Sequence, residues 1–216
     1  MSPQSPPDPA DPPARRPWPV PAPRRSLFRA PASASLAVAL ALLSAACTGQ
    51  AKSSGSAEPA PFAGCGAITA SPSAAARPAD LPGLSLPCFT GGEQVALAGI
   101  RGPAVINFWA SWCGPCRTEL PVMQRLADRA EGRLTVLGID TGDSRDAGAS
   151  FAADKQVTMP TLVDADRKLF NALAGRALPM TVFVDAQGRR FLYVLPLDEK
   201  TLPEQVRAHT GVTVTL

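Results

Sequence analysis

Residues 104–110, AVINFWA, form an unbroken apolar run rich in β-formers, and they lead directly into SWCGPC and a helical pattern. A run of this kind suits a strand buried on both faces, so layers must cover both sides of its sheet. From Pro115 onward Leu120, Met123, Leu126, Ala127 and Ala130 recur at helical spacing, and Pro121 is expected to kink that helix. RLTVLGID (133–140) predicts a second buried strand. Ser144 or Asp143 could cap a helix through Lys155. PTLVD (160–164) reads as a short strand or an extended segment, and Asp166 to Ala174 as a short helix ending at Gly175. MTVFVDAQGRRFLYVL (180–195) reads as a hairpin around Ala186-Gln187-Gly188, and Leu197 to Thr210 as a closing helix. A short strand at Gln94 to Leu97 precedes the set. The order β-α-β-α-β-α-β-β-α implies an α/β fold: a central mixed sheet flanked by helices, early strands parallel and the last two antiparallel.

The 216 residues allow one domain with appendages. Residues 1–35 are dominated by Pro, Ala, Arg and Ser, a composition that buries too little apolar surface to offset chain entropy. Within them PRRSLFRA (23–30) carries positive charge, and the short apolar run SLAVALALLSAAC (35–47) follows. That run is too short for a bilayer-spanning helix, which needs ~20 residues, but it suits a signal-peptide core. Arg24-Arg25 resembles a twin-arginine export signal, and LSAAC resembles a lipobox whose Cys47 would carry lipid. The alternatives are a cleaved soluble secretory signal or an uncleaved anchor, and the start codon could lie downstream of Met1. The division expected is 1–46 signal peptide, 47–80 flexible linker and 81–216 domain. The five arginines and two aspartates before Cys47 account for the whole net charge of +3, since sixteen basic and sixteen acidic residues follow. No basic stripe remains to argue for nucleic acid.

Export places the chain where disulfides persist. Of five cysteines, Cys47 is the lipid candidate and Cys113 and Cys116 form the motif pair. Cys65 and Cys88 are left over, and their simplest account is a structural bridge, worth about 3 kcal/mol in the chain-entropy model. A second redox pair acting as a relay is the alternative.

Cys113 lies between a buried strand and a helix. Its sulfur would therefore face free N–H groups and the positive end of the helix, which favours thiolate. Pro115 suits a first helical turn. Cys113 is then the exposed attacker on a partner disulfide and Cys116, one turn on, the resolving thiol. A structural zinc site wants four ligands, yet there is no second CxxC, and the lone histidine, His209, reads as an ordinary surface residue. No metal or separate cofactor is expected; the dithiol carries the electrons.

FWASWCGPC resembles the active-site segment of thioredoxins. NFWASWCGPCRTELP resembles, more narrowly, that of the membrane-tethered, extracytoplasmic TlpA/ResA-like proteins. The likeness runs over roughly 84–210 and takes in GIDTGDS, MPTLVD and LPMTVFVDAQGR in order. The resemblance implies a thioredoxin-like fold with a cis-proline beside the cysteines, assigned to Pro179 rather than Pro160. Leu178 and Trp112 would then meet an extended substrate. It also implies a glutamate near the dithiol at the position of Glu119, while Asn107 stands where thioredoxins carry a buried aspartate. Partial burial would let Glu119 exchange a proton with Cys116; the alternative is a solvated helix charge.

The activity implied is thiol–disulfide exchange on exported proteins at the outer side of a membrane. Its direction would be reduction, with apocytochrome c as the natural substrate and a transmembrane protein as electron donor. Two rivals stand beside it: an oxidase or isomerase of secreted proteins, and a non-catalytic docking module. A peroxidase of the related fold has no motif to support it.

Overall fold

The computed structural model of the protein describes residues 61–69 and 77–216. The expected signal peptide and Cys47 lie outside the described residues. Among the described residues seven strands and four α-helices follow one another as β1 (Ser85–Pro87), β2 (Gln94–Ala96), β3 (Ala104–Trp109), α1 (Cys116–Ala130), β4 (Thr135–Thr141), α2 (Arg145–Asp154), β5 (Thr161–Asp164), α3 (Lys168–Ala172), β6 (Met180–Val184), β7 (Arg190–Tyr193) and α4 (Thr201–Thr210). The main sheet has the order β5-β4-β3-β6-β7. Strands β3, β4 and β5 run parallel; β6 and β7 are antiparallel to their neighbours.

The apolar run of β3 is the central strand, and all six of its residues are buried. Its side chains alternate between two cores, as the two-residue period of a strand requires. Val105 and Trp109 enter the core made with α1, α2 and α4. Ala104, Ile106 and Phe108 enter the opposite core, made with α3 and the β1–β2 ribbon. Neighbouring strands keep the split: Val136, Val163 and Phe183 join the first core, and Leu137, Leu162 and Val182 the second.

Local signals set most element ends. Pro121 lies inside α1, where it withholds one N–H from the helical ladder. Ser144, not Asp143, caps α2, its hydroxyl accepting from Ala147 N–H at 3.3 Å. Asp164 receives the N–H groups of Leu169 and Phe170 (3.2 and 2.9 Å) and so fixes the start of α3. The closing helix begins at Thr201 rather than Leu197, because Asp198 accepts from the Lys200 and Thr201 N–H groups and holds the chain in a turn first. At the β6–β7 turn Gly188 has φ +81°, and an added Cβ would stand 2.1 Å from the Pro78 carbonyl oxygen. Only glycine fits there.

Two features differ from expectation. Ser85–Pro87 is a strand, paired antiparallel with β2, although three residues ending in proline carry little strand signal. The segment 47–80 is, in its described part, packed onto the domain. Phe62, Cys65, Ile68 and Ala79 are buried. The Phe62 ring packs, tilted, with its centre 4.6 Å from that of Phe89 and 6.1 Å from that of Trp109, and Cys65 is bonded to Cys88 with the Cα atoms 5.9 Å apart. The Ala/Pro/Ser composition hides these residues, and the spacing of three between Phe62, Cys65 and Ile68 is the visible cue. Burying one phenylalanine stabilises by about 2–3 kcal/mol, and the Cys65–Cys88 bond ties the same strap to the domain covalently.

Candidate active site

Strand β3 ends at Trp109, and the chain turns through residues 110–115 before α1 begins. The Cys113 N–H closes that turn on the Ala110 carbonyl at 3.1 Å. Cys113 and Cys116 are joined as a disulfide, with Cα atoms 5.3 Å apart. The first N–H of the helix, that of Cys116, donates to Cys113 Sγ at 3.2 Å. A donor fixed there favours negative charge on the first sulfur once the bond is opened. Cys113 is not the exposed residue expected. It is 4% exposed, because the closed pair packs into the core beside Trp109 and Ala110.

Between β3, β6 and α1 lies a buried polar cluster. Asn107 faces Thr181 across β3 and β6. The Asn107 side-chain amide donates to Glu119 Oε1 at 2.9 Å and to Thr181 Oγ1 at 3.1 Å, and the Thr181 hydroxyl donates to the same Glu119 oxygen at 3.4 Å. Glu119 is buried rather than partly buried, at 1% exposure, and so is no solvated helix charge. Its Oε2 makes no hydrogen bond of ordinary geometry. Burial pushes its pKa up to about 8, against smaller opposing effects of the Leu197 backbone, Thr181 and Asn107. The carboxyl is therefore neutral in good part at pH 7 and able to take or give a proton near that pH.

Met180 pairs with Phe108, so the residues before it, Leu178 and Pro179, lie at the end of the sheet where the cysteine loop starts. The Leu178–Pro179 bond is cis; so is Gly102–Pro103, which had no sequence cue. Trp112 is 55% exposed, and its indole N–H donates to the Gly142 carbonyl at 3.0 Å. The Ser111 N–H donates to Asp143, so the β4–α2 loop holds the cysteine loop at two points. Trp112 and Leu178 share the wall of one cavity of about 270 Å³. Pro160 instead precedes β5 and gives its carbonyl to the Gly138 N–H.

A second buried acid, Asp140, was read only as part of a strand. It is fully buried and neither carboxylate oxygen has a hydrogen-bond partner. Burial, then the neighbouring Asp143 charge, raise its pKa to about 8, with Arg145 opposing. Helix α2 lies directly over it: a Cβ on Gly148 would stand 2.6 Å from Asp140 Oδ2. An aspartate within an apolar strand was the available signal. His209, expected at the surface, is half-buried and stacks 3.6 Å from the Phe191 ring. Burial lowers its pKa. Cys65 and Cys88 stand apart from the site, near β5, where Cys88 bridges to Leu162. With Glu93 they form a tight group, but two sulfurs bonded to each other offer no thiolate to a cation.

The fold and the dithiol at its strand-to-helix junction define a thioredoxin-like protein. More narrowly, the chain belongs to the AhpC/TSA family, whose pattern matches residues 79–189. It is 30% identical to the thiol-disulfide oxidoreductase ResA of Bacillus subtilis (strain 168) over 103 residues, 46% of this chain and 57% of that protein. It is 32% identical to the thiol:disulfide interchange protein DsbE of Pseudomonas fluorescens biotype C over 130 residues, 59% of this chain and 71% of that protein. The chain thus spans little more than half the length of ResA. Among solved structures it superposes on a secreted Mycobacterium tuberculosis disulfide oxidoreductase homologous to E. coli DsbE. The TM-score is 0.53 at 26% identity, covering 58% of this chain and 96% of that one. The MTB dsbF structure gives a TM-score of 0.55 at 26% identity, covering 60% of this chain and 99% of that one.

Proposed function

We propose that this protein is an extracytoplasmic thiol–disulfide oxidoreductase that reduces disulfides in exported proteins. The observation that carries the reading is the Cys113–Cys116 pair, with the Cys116 N–H on Cys113 Sγ at the mouth of α1. The names of ResA and DsbE describe proteins with this kind of activity. In the reduced state the Cys113 thiolate attacks one sulfur of a partner disulfide. The partner's S–S bond breaks, a mixed disulfide forms, and the released partner thiolate takes a proton. Cys116 loses its proton and attacks Cys113 Sγ, releasing the second partner thiol and closing the Cys113–Cys116 bond. Two electrons pass to the partner, and a dithiol donor must return them. Glu119, three residues from Cys116 on α1, takes the Cys116 proton in this second step through its ionised fraction, which grows as pH approaches 8. Leu178 and Pro179 receive the partner chain in extended form beside Trp112.

The finer parts rest on the resemblance of NFWASWCGPCRTELP. They are apocytochrome c as substrate during cytochrome c maturation, a transmembrane electron donor, and attachment to the outer face of the membrane through lipid on Cys47. The dithiol itself is the redox group, and no added cofactor enters the scheme. Likeness to a secreted thiol-disulfide isomerase from Corynebacterium glutamicum, with a TM-score of 0.50 at 27% identity, favours a second reading, isomerisation of secreted proteins.

Reduction of insulin disulfides by the reduced protein, compared with Cys113→Ser, tests the activity. The wild type should turn over and the variant should not; equal rates would reject catalysis by this pair. The equilibrium potential then sets the direction. Thioredoxin-fold proteins span ~150 mV, about 7 kcal/mol for two electrons. A value near −270 mV agrees with a reductase, and one near −120 mV would reverse the assignment.

A further inference from the structure

The cavity between Trp112 and Leu178 carries a charge pattern that thiol exchange by itself does not require. Two arginines, Arg167 and Arg176, line it together with Trp112, Phe170 and Leu178. Both arginines are exposed, and neither forms an ion pair with any described carboxylate. Arg167 is held in place. Asp164 fixes the turn at the start of α3, where Arg167 has φ +57° and donates its backbone N–H to the Asp164 carbonyl at 2.9 Å. The Arg167 guanidinium lies 5.3 Å from the centre of the Trp112 ring. Trp112 is anchored in turn by its bond to Gly142. Arg176, two residues before Leu178, lines the same cavity. One cavity wall thus combines apolar surface from Phe170 and Leu178 with two planar cations that have no carboxylate partner among the described residues, and Trp112, next to Cys113 in sequence, belongs to it. Guanidinium groups match carboxylates geometrically and hold them with paired hydrogen bonds.

Resting on the proposed disulfide exchange, we infer that Arg167 and Arg176 select substrates whose target cysteine lies in an acidic, extended segment. An Asp or Glu one to three residues from the cysteine reaches the cavity, because an extended chain rises about 3.3 Å per residue. The apolar surface of Phe170 and Leu178 takes the stem of that side chain, and the two guanidinium groups take its carboxylate. Exposed pairs of this kind contribute modestly. Two together correspond to about a three- to tenfold preference over an uncharged isostere, and the preference weakens with salt.

Two peptides test this. Each carries one cysteine blocked as a mixed disulfide with 2-mercaptoethanol, and they differ only in Glu against Gln two residues from the cysteine. The reduced full-length protein is mixed with each, and release of peptide thiol is followed by rapid quench and chromatography. The wild type should reduce the Glu peptide about three- to tenfold faster at 50 mM salt. The ratio should fall toward one at 500 mM salt and in Arg167→Gln/Arg176→Gln. Should the double variant fold poorly, Arg176→Gln alone, an exposed position without an ion pair, should lower the same ratio. Equal rates for both peptides with wild type, or a preference that survives in the variants, would overturn the inference. Failure of the wild type to reduce either peptide would instead overturn the oxidoreductase reading.

Discussion

Replacing Glu119 with glutamine removes a buried carboxyl whose pKa stands at about 8, against 4.5 for an ordinary glutamate. The amide is nearly isosteric, and its oxygen can keep the bonds from Asn107 and Thr181 that Oε1 now accepts. The consequence is a change in how stability depends on pH. Between the two pKa values the folded state keeps a proton that the unfolded chain releases, so wild-type stability falls as pH rises. The contribution is fully present below about pH 4.5 and lost by about pH 8. Within that window one such group contributes a slope of about 1.4 kcal/mol per pH unit. The stability of Glu119→Gln relative to wild type should therefore rise by roughly 3 kcal/mol between pH 5 and pH 7. Urea unfolding of the oxidised proteins at pH 5, 6 and 7 measures this difference directly. The same variant should slow the resolving step and alter its pH profile between 5 and 9. Parallel stability curves for variant and wild type would refute the buried, largely protonated Glu119, and an unchanged kinetic profile would refute its part in proton transfer.

Asp140→Asn should flatten the pH dependence in the same window and stabilise the protein at pH 8, since both oxygens of Asp140 lack partners; thermal unfolding at pH 6 and 8 measures it. Cys65→Ser/Cys88→Ser should lower stability by about 3 kcal/mol in denaturant unfolding, and the Cys113–Cys116 pair should still be reducible. Phe62→Ala should lower stability by about 3 kcal/mol, because it empties the contact with Phe89 and Trp109. Loss of less than ~0.5 kcal/mol would mean that the strap contributes little to the domain.

The central strands and α1 were legible because AVINFWA and RLTVLGID are long apolar runs and the helix repeats its apolar residues at the helical period. The hairpin was legible from Gly188 between two β-rich stretches. Residues 61–69 were not, since a few anchors sit in a composition that reads as linker. Glu119 was legible as a residue of interest, but its depth was not. Burial there depends on Asn107 and Thr181, 74 positions apart, meeting in register across β3 and β6. Arg167 and Arg176 were missed for a related reason. Their approach to Trp112 and Leu178 is a matter of tertiary packing around α3, and single arginines flanking a short helix read as solvated charges.

The account turns on Cys113 as the nucleophile and Cys116 as the resolving thiol. Reduced Cys116→Ser, mixed with a peptide blocked by 2-mercaptoethanol and analysed by intact and digested mass spectrometry, tests that assignment. A stable mixed disulfide on Cys113, released by dithiothreitol and not formed by Cys113→Ser, is the result predicted. An adduct on Cys65 or Cys88, or one that forms equally well without Cys113, would contradict it.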